Sequence, residues 1–234
     1  ARPVTKEITL SLLDRAKKTG FKVLVVTIDT TLLGFRPNDL DTSHLPFLNG
    51  QGCQVGFSDA TFCKREGIDP AVYESGDVAA IRKASMAWLG EVNSGYFHSW
   101  EDVAFLKENW DGPIVLKGPF HCLVLLCRSR NSCLEMGSTT GIQTVADAKK
   151  AISIGVDGIV VSNHGGRQID GAISSLSALA KIAEDPIVMA SSLTILFDSG
   201  IRSGSDIIKA LALGAKGVLI GRPWVWGLTC AGQE

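Results

Sequence analysis

The sequence predicts an α/β fold, a TIM-type (β/α)8 barrel present in part, on two observations. Helical patterns alternate with short apolar strands, and reactive side chains fall at the C-terminal ends of five different strands. Taken in order, Ile8 to Lys18 carries Ile8, Leu12, Leu13 and Ala16 at helical spacing, and Gly20 follows as a C-terminal cap. Lys22 to Asp29 then reads as a strand buried on both faces, as parallel strands covered by helices are. Pro113 to Lys117 is a short apolar strand ending in a charge. An amphipathic helix, Thr144 to Ile154, feeds the strand Gly158 to Ser162. Ser192 to Asp198 is a further strand, and the helix Ser205 to Leu213 runs into Gly217 to Gly221.

Asp29, Lys117, Ser162 with His164, Asp198, and Gly221 with Arg222 therefore sit at or just past five strand ends. A doubly wound sheet builds its site at one switch point, whereas a barrel gathers side chains from many strands on one face, so the barrel is preferred. A closed barrel needs eight strands. Either segments such as Trp88 to Tyr96 supply strands in unusual places, or strands are missing, and the second is the simpler expectation. On it, about the last five strands are present, the chain is truncated at both ends, and no final helix follows the last strand.

Composition narrows the function classes. The 234 residues suffice for one sizeable core, and 45% hydrophobic with 20% charged residues excludes disordered and fibrous classes. A formal charge of -1 gives no field to attract nucleic acid or an anionic membrane, so an anionic metabolite has to be held by local arginines. No apolar run reaches the roughly 20 residues of a spanning helix, and residues 1–7 do not read as a secretory signal. Cys122, Cys127 and Cys133 crowd together without the pairing or accompanying ligands of a zinc site, so no metal is expected. A reduced, cytoplasmic protein is expected, with peroxisomal or mitochondrial placement left open.

The chemistry centres on Ser162-Asn163-His164-Gly165-Gly166-Arg167-Gln168, directly after a buried strand. His164 sits on a glycine-loosened turn where it can reach a ligand, and an imidazole titrating near neutrality suits a general base. Such a base works best with its far nitrogen held by an acid, for which Asp29 is the candidate. Arg167 and Arg36 follow the histidine and the aspartate, and an arginine fork holds a carboxylate through two parallel hydrogen bonds. Lys117 could stabilise negative charge on a reduced cofactor or form a Schiff base, and position does not separate these. Asp198 to Gly204 and Ala215 to Pro223 place small residues, backbone amides, Arg202 and Arg222 after consecutive strands. Gly200 and Gly221 leave room for close backbone approach, as at the phosphate sites that barrels build between their last strands. Phosphate alone supports flavin mononucleotide (FMN) and a sugar-phosphate isomerase almost equally; the histidine, aspartate and arginines favour oxidation of a carboxylate-bearing substrate.

Thr27-Ile28-Asp29-Thr30 with Leu33-Gly34 and Arg36, Leu116-Lys117-Gly118, Val161 to Asp170, Phe197 to Ala212 and Ile220 to Pro223 together resemble the FMN-dependent 2-hydroxy acid dehydrogenase and oxidase family, which includes glycolate oxidase. Gly34 to Leu40, Leu45 to Leu48 and Phe57 to Asp59 look more like lactate 2-monooxygenase and its fungal relatives than like glycolate oxidase. The resemblance implies His164 as base with Asp29 as partner, and Arg36 and Arg167 on the substrate carboxylate. It places Lys117, Thr27 and Ser162 near the flavin ring, Asp198 on the ribityl chain, and Arg202, Gly221 and Arg222 at the phosphate. The implied activity is FMN-dependent oxidation of a small L-2-hydroxy acid, with oxygen or another acceptor reoxidising the flavin and homo-oligomerisation of the complete protein left open. A non-catalytic barrel fragment with weak or absent FMN retention, and a phosphate-binding lyase or isomerase using Lys117, stand as alternatives.

One family domain is thus expected over 1–234, partial, with an insertion at 119–141. Lys117 and His164 are 47 positions apart, whereas a strand–helix–strand unit needs about 30. The extra segment, with its run Cys122 to Cys127, reads as translated intervening sequence more than as an evolved lid.

Overall fold

The computed structural model describes residues 2–118 and 141–233. The chain divides into two units, Ala1–Lys22 with Thr30–Asp111, and Val23–Asp29 with Gly112–Glu234. The first unit is helical: α1 (Lys6–Lys18), α2 (Pro37–Asp41), α3 (Gln54–Phe57), α4 (Ala60–Glu66), α5 (Val78–Val92) and α6 (Trp100–Asn109). α1 carries Glu7 in its first turn and Arg15, Lys17 and Lys18 in its last, matching charge to the helix dipole at both ends. Asp77 caps α5 by accepting from the Ala79 and Ala80 N–H groups, and Ser99 with Asp102 forms a capping box on α6. The core of this unit joins Ile8, Phe57, Phe62, Ile81 and Trp88, with the Phe62 and Trp88 rings edge to face. Trp88 therefore lies in a helix and supplies no strand.

The second unit is a five-stranded parallel sheet of β1 (Leu24–Thr27), β2 (Ile114–Lys117), β3 (Gly158–Val161), β4 (Thr194–Phe197) and β5 (Gly217–Val218), in the spatial order β1-β2-β3-β4-β5. That order never reverses, as a doubly wound sheet does at its switch point, and it is the order of consecutive barrel strands. The α/β expectation with about five strands is met. Between and after the strands come α7 (Val145–Ser153), α8 (Ser175–Ala183), α9 (Pro186–Ala190), α10 (Gly204–Ala212) and α11 (Arg222–Ala231). β3 is buried at all four positions, and Leu116, Ile159, Leu179 and Ile182 are fully enclosed. α8 packs on β3 and α7, and α10 on β5.

Two expectations need correction. β1 is an edge strand whose described pairing is with β2, and Val25 is half exposed, so it is not buried on both faces. A continuous apolar run reads the same at an edge as in the middle of a sheet. A helix does follow the last strand: α11 begins at Arg222 with Pro223 in its first turn, where a proline is pre-set for helix and loses no hydrogen bond. Two tryptophans and Gly227 lower its intrinsic propensity and hid it in the sequence. The expected insertion, 119–141, lies outside the described residues except for Gly141. Gly118 O accepts from Ile142 N at 3.4 Å, so the chain resumes against the end of β2.

Candidate active site at the strand ends

Parallel register sets the site. Thr27 pairs with Lys117, Lys117 with Val160, Val161 with Phe197, and Phe197 with Val218. The residues that leave these positions share one rim. Asp29 stands two residues past β1, its side chain fully buried, and both carboxylate oxygens face His164 Nδ1, at 2.9 and 3.0 Å. The expected acid–imidazole pair is therefore formed. His164 stands on a turn of consecutive left-handed residues, with φ of 57° at His164, 68° at Gly165 and 70° at Gly166. Two glycines make this turn affordable, since an L side chain is strained there.

Lys117 ends β2 and points its ammonium at Asp198 Oδ2 (3.0 Å) and Ser162 Oγ (3.1 Å). The buried Ser162 hydroxyl also accepts from His164 N at 3.0 Å. Asp198, one residue past β4, begins a loop that is fastened at its far end by the capping box of α10. There the Arg202 N–H, followed by the Ser203 hydroxyl and N–H, holds the Asp206 carboxyl below the usual carboxylate range. Thr27, Lys117, His164, Arg167, Asp198, Gly200, Arg202, Gly221 and Arg222 all line one cavity of about 400 Å³. Arg222 donates from Nη2 to Gly165 O at 3.2 Å, and Arg167 from Nε to His164 O at 3.4 Å. Arg36 belongs to the first unit, where Nη1 lies 3.8 Å from Asp39 Oδ2.

Four contributors escaped the sequence reading. Gln168 Nε2 donates to Asp29 O at 2.6 Å, so the histidine motif also fastens the backbone of the aspartate. Gln143 Nε2 donates to Ser162 O at 3.1 Å. Ser199 bonds both Gly165 and Asp198. Gly118 has φ +87°, and a Cβ there would stand 2.4 Å from the Asp29 carboxylate. Gln168, Gly118 and Ser199 each adjoin a predicted site residue in the sequence, and that adjacency was the signal available. Gly118→Ala is expected to cost about 1–2 kcal/mol from its left-handed backbone alone and to push Asp29 off His164. Thermal melting and turnover check it, turnover falling roughly 10²-fold as for other small displacements of catalytic groups.

The fold and rim define a class: a parallel α/β chain carrying an acid–imidazole pair, a fixed cation and anion-binding loops at its strand ends. The family model for FMN-dependent dehydrogenase matches residues 2–122 and 139–234, and the chain belongs to this family of FMN-dependent 2-hydroxy acid oxidases and dehydrogenases. The match is interrupted over residues 123–138. An FMN-dependent alpha-hydroxy acid dehydrogenase of Schizosaccharomyces pombe is 48% identical over 98% of this chain and 50% of its own length. The L-lactate oxidase of Lysinibacillus sphaericus is 36% identical over 98% of this chain and 50% of its own. Among solved structures, a mandelate oxidase mutant with (S)-mandelic acid superposes with a TM-score of 0.63 at 29% identity, over 99% of this chain and 50% of that one. The chain thus spans about half the length of the curated relatives it matches.

The residues present fit the family's cofactor. A Cβ added at Gly200 or Gly221 would meet nothing within 4 Å, so both open onto free space along the cavity. Arg202, Arg222 and the first turn of α11 surround that space with the donors and positive charge that a phosphate requires. Lys117 supplies a further cation to the lining of the same cavity.

Proposed function

We propose that the protein is an FMN-dependent oxidoreductase that converts a small L-2-hydroxy acid, such as lactate or glycolate, to its 2-oxo acid. The observation that carries this reading is the fully buried Asp29 carboxylate gripping His164 Nδ1 at 2.9 Å, on the wall that Lys117 and Arg167 share. An ionised carboxylate only accepts hydrogen bonds, so Nδ1 carries the proton and Nε2 presents its lone pair to a ligand. His164 Nε2 takes one proton from the hydroxy acid, and Asp29 steadies the imidazolium that results. Arg167 offers its fork to the substrate carboxylate, which turns the reacting carbon toward the base. The residues that would hold FMN are Lys117 and Thr27 at its ring, with the buried Ser162 supporting Lys117 from behind, Asp198 at the ribityl chain, and Arg202, Gly221 and Arg222 at the phosphate. When bound, FMN would accept the two electrons together with the second hydrogen, and oxygen or another acceptor would take them on. The reading rests on second-unit residues alone. A Schiff-base role for Lys117 is disfavoured because its nitrogen is already donating to Asp198 and Ser162.

The test is the protein expressed from its complete gene. It is expected to be yellow as purified and to bleach when L-lactate is added without oxygen. Acetate rather than pyruvate as the product in air would assign it to the monooxygenase type. A colourless protein, or a flavin that no small 2-hydroxy acid bleaches, overturns the proposal.

A further inference from the structure

Among the described residues, three that are not glycine have positive φ: Ser43, His164 and Ser199. Two of the three meet at the candidate site. Ser199 adopts φ +80° immediately before Gly200, at φ +77°. A side chain held in a left-handed conformation is strained, and such strain persists where surrounding interactions over-determine it. Here the interactions are visible. The Ser199 hydroxyl accepts from the Gly165 N–H at 3.0 Å and donates to Asp198 Oδ1 at 2.7 Å. The other oxygen of Asp198 takes the Lys117 ammonium at 3.0 Å, Lys117 donates to Ser162 Oγ at 3.1 Å, and Ser162 Oγ accepts from His164 N at 3.0 Å. The path closes on itself. Two consecutive N–H groups of the histidine turn, those of His164 and Gly165, are each gripped by a serine hydroxyl, and Lys117 with Asp198 bridges the two serines.

From this closed circuit we infer that Ser199 is a positioning residue for His164, acting through the Gly165 amide and tying the histidine turn to the Lys117–Asp198 ion pair. The inference rests on the proposed role of His164 as base. Asp29 holds the imidazole at Nδ1, but one contact leaves the ring free to swing about it. Holding the backbone N–H groups on both sides of the His164 Cα fixes the direction in which Nε2 points. Ser199 lines the same cavity, but it is neither the proposed base nor a member of the ion pair, so removing its hydroxyl leaves His164, Lys117 and Asp198 in place. A glycine at this position would be unstrained, and the strain of the serine is offset by what its hydroxyl holds.

The test uses Ser199→Gly and Ser199→Ala beside the parent protein. Ser199→Gly relieves the backbone strain while losing both hydrogen bonds, so its thermal midpoint is expected to stay close to the parent's. Ser199→Ala loses the same hydrogen bonds without the added backbone freedom of glycine, so an effect shared by both variants belongs to the hydroxyl. In both, hydrogen exchange of the Gly165 amide, followed by NMR in the absence of ligand, is expected to accelerate roughly tenfold, as for the loss of one hydrogen bond. The imidazole 15N signals of His164 are expected to change from one tautomer to a mixture. The rate constant for anaerobic flavin reduction is expected to fall about tenfold or more, with substrate affinity changed far less. Unchanged Gly165 exchange and an unchanged His164 tautomer in both variants would overturn the inference, as would faster exchange with full-speed flavin reduction. If the parent itself fails to bleach with 2-hydroxy acids, the proposed function falls, while the exchange and tautomer readouts still decide whether Ser199 positions His164.

Discussion

Replacing His164 by asparagine is expected to slow flavin reduction by L-lactate about 10²–10⁴-fold, the range for loss of a general base, while fold and cofactor are retained. Asparagine is chosen on two structural grounds. His164 has φ 57°, and asparagine is among the few residues that tolerate the left-handed region. Its amide nitrogen also lies near the place of Nδ1 and can still donate to Asp29, so the buried carboxylate keeps a partner. What disappears is the basic lone pair at Nε2. Stopped-flow absorbance under anaerobic conditions reads the effect, and the visible spectrum of the purified variant shows whether flavin is bound. A variant that is yellow, folded and reduced at the parent's rate would remove His164 from the mechanism.

A loss of similar size, about 10²–10⁴-fold, is expected for Asp29→Asn, by a different physical route. The Asp29 side chain is fully enclosed and turns both oxygens to His164 Nδ1. An amide in that place is uncharged, so it no longer steadies the imidazolium. It can also present its NH2 to Nδ1, which selects the tautomer with the proton on Nε2, the wrong nitrogen for a base. Because the two residues act as one unit, the double variant Asp29→Asn with His164→Asn is expected to be no slower than His164→Asn alone. Additive losses in that cycle would mean that Asp29 and His164 act separately.

Much of the candidate site was legible because the signals are local. Lys117 and Asp198 each stand at the end of an apolar run, and His164 lies within a motif whose glycines announce a turn. Any strand with this pattern places such residues at its C-terminal end, whatever its neighbours are. The missed contributors share the opposite property. Ser199 meets Gly165 across 34 positions and Gln168 meets Asp29 across 139, and neither pairing leaves a trace in local spacing. Gly118 entered the sequence reading only as part of the motif Leu116-Lys117-Gly118, and its role in making room for the Asp29 carboxylate depends on where the end of β1 places that side chain, 2.4 Å from where a Cβ on Gly118 would stand. The edge character of β1 was hidden for the same reason, since exposure of Val25 depends on what the sheet places beside it.

By itself, then, the sequence determined the alternation of helix and strand, the parallel α/β class, the family, and the candidates for acid–base and anion-binding chemistry. These follow from side-chain periodicity and from residue types in fixed order, which are properties of short stretches of chain. The tertiary structure decided the strand order β1-β2-β3-β4-β5, the 2.9 Å geometry of the expected Asp29–His164 pair, and the circuit through Ser199, Asp198, Lys117 and Ser162. Hydrogen bonds and ion pairs act over about 3 Å, so the choice of partners waits until sheet register has brought distant strand ends together.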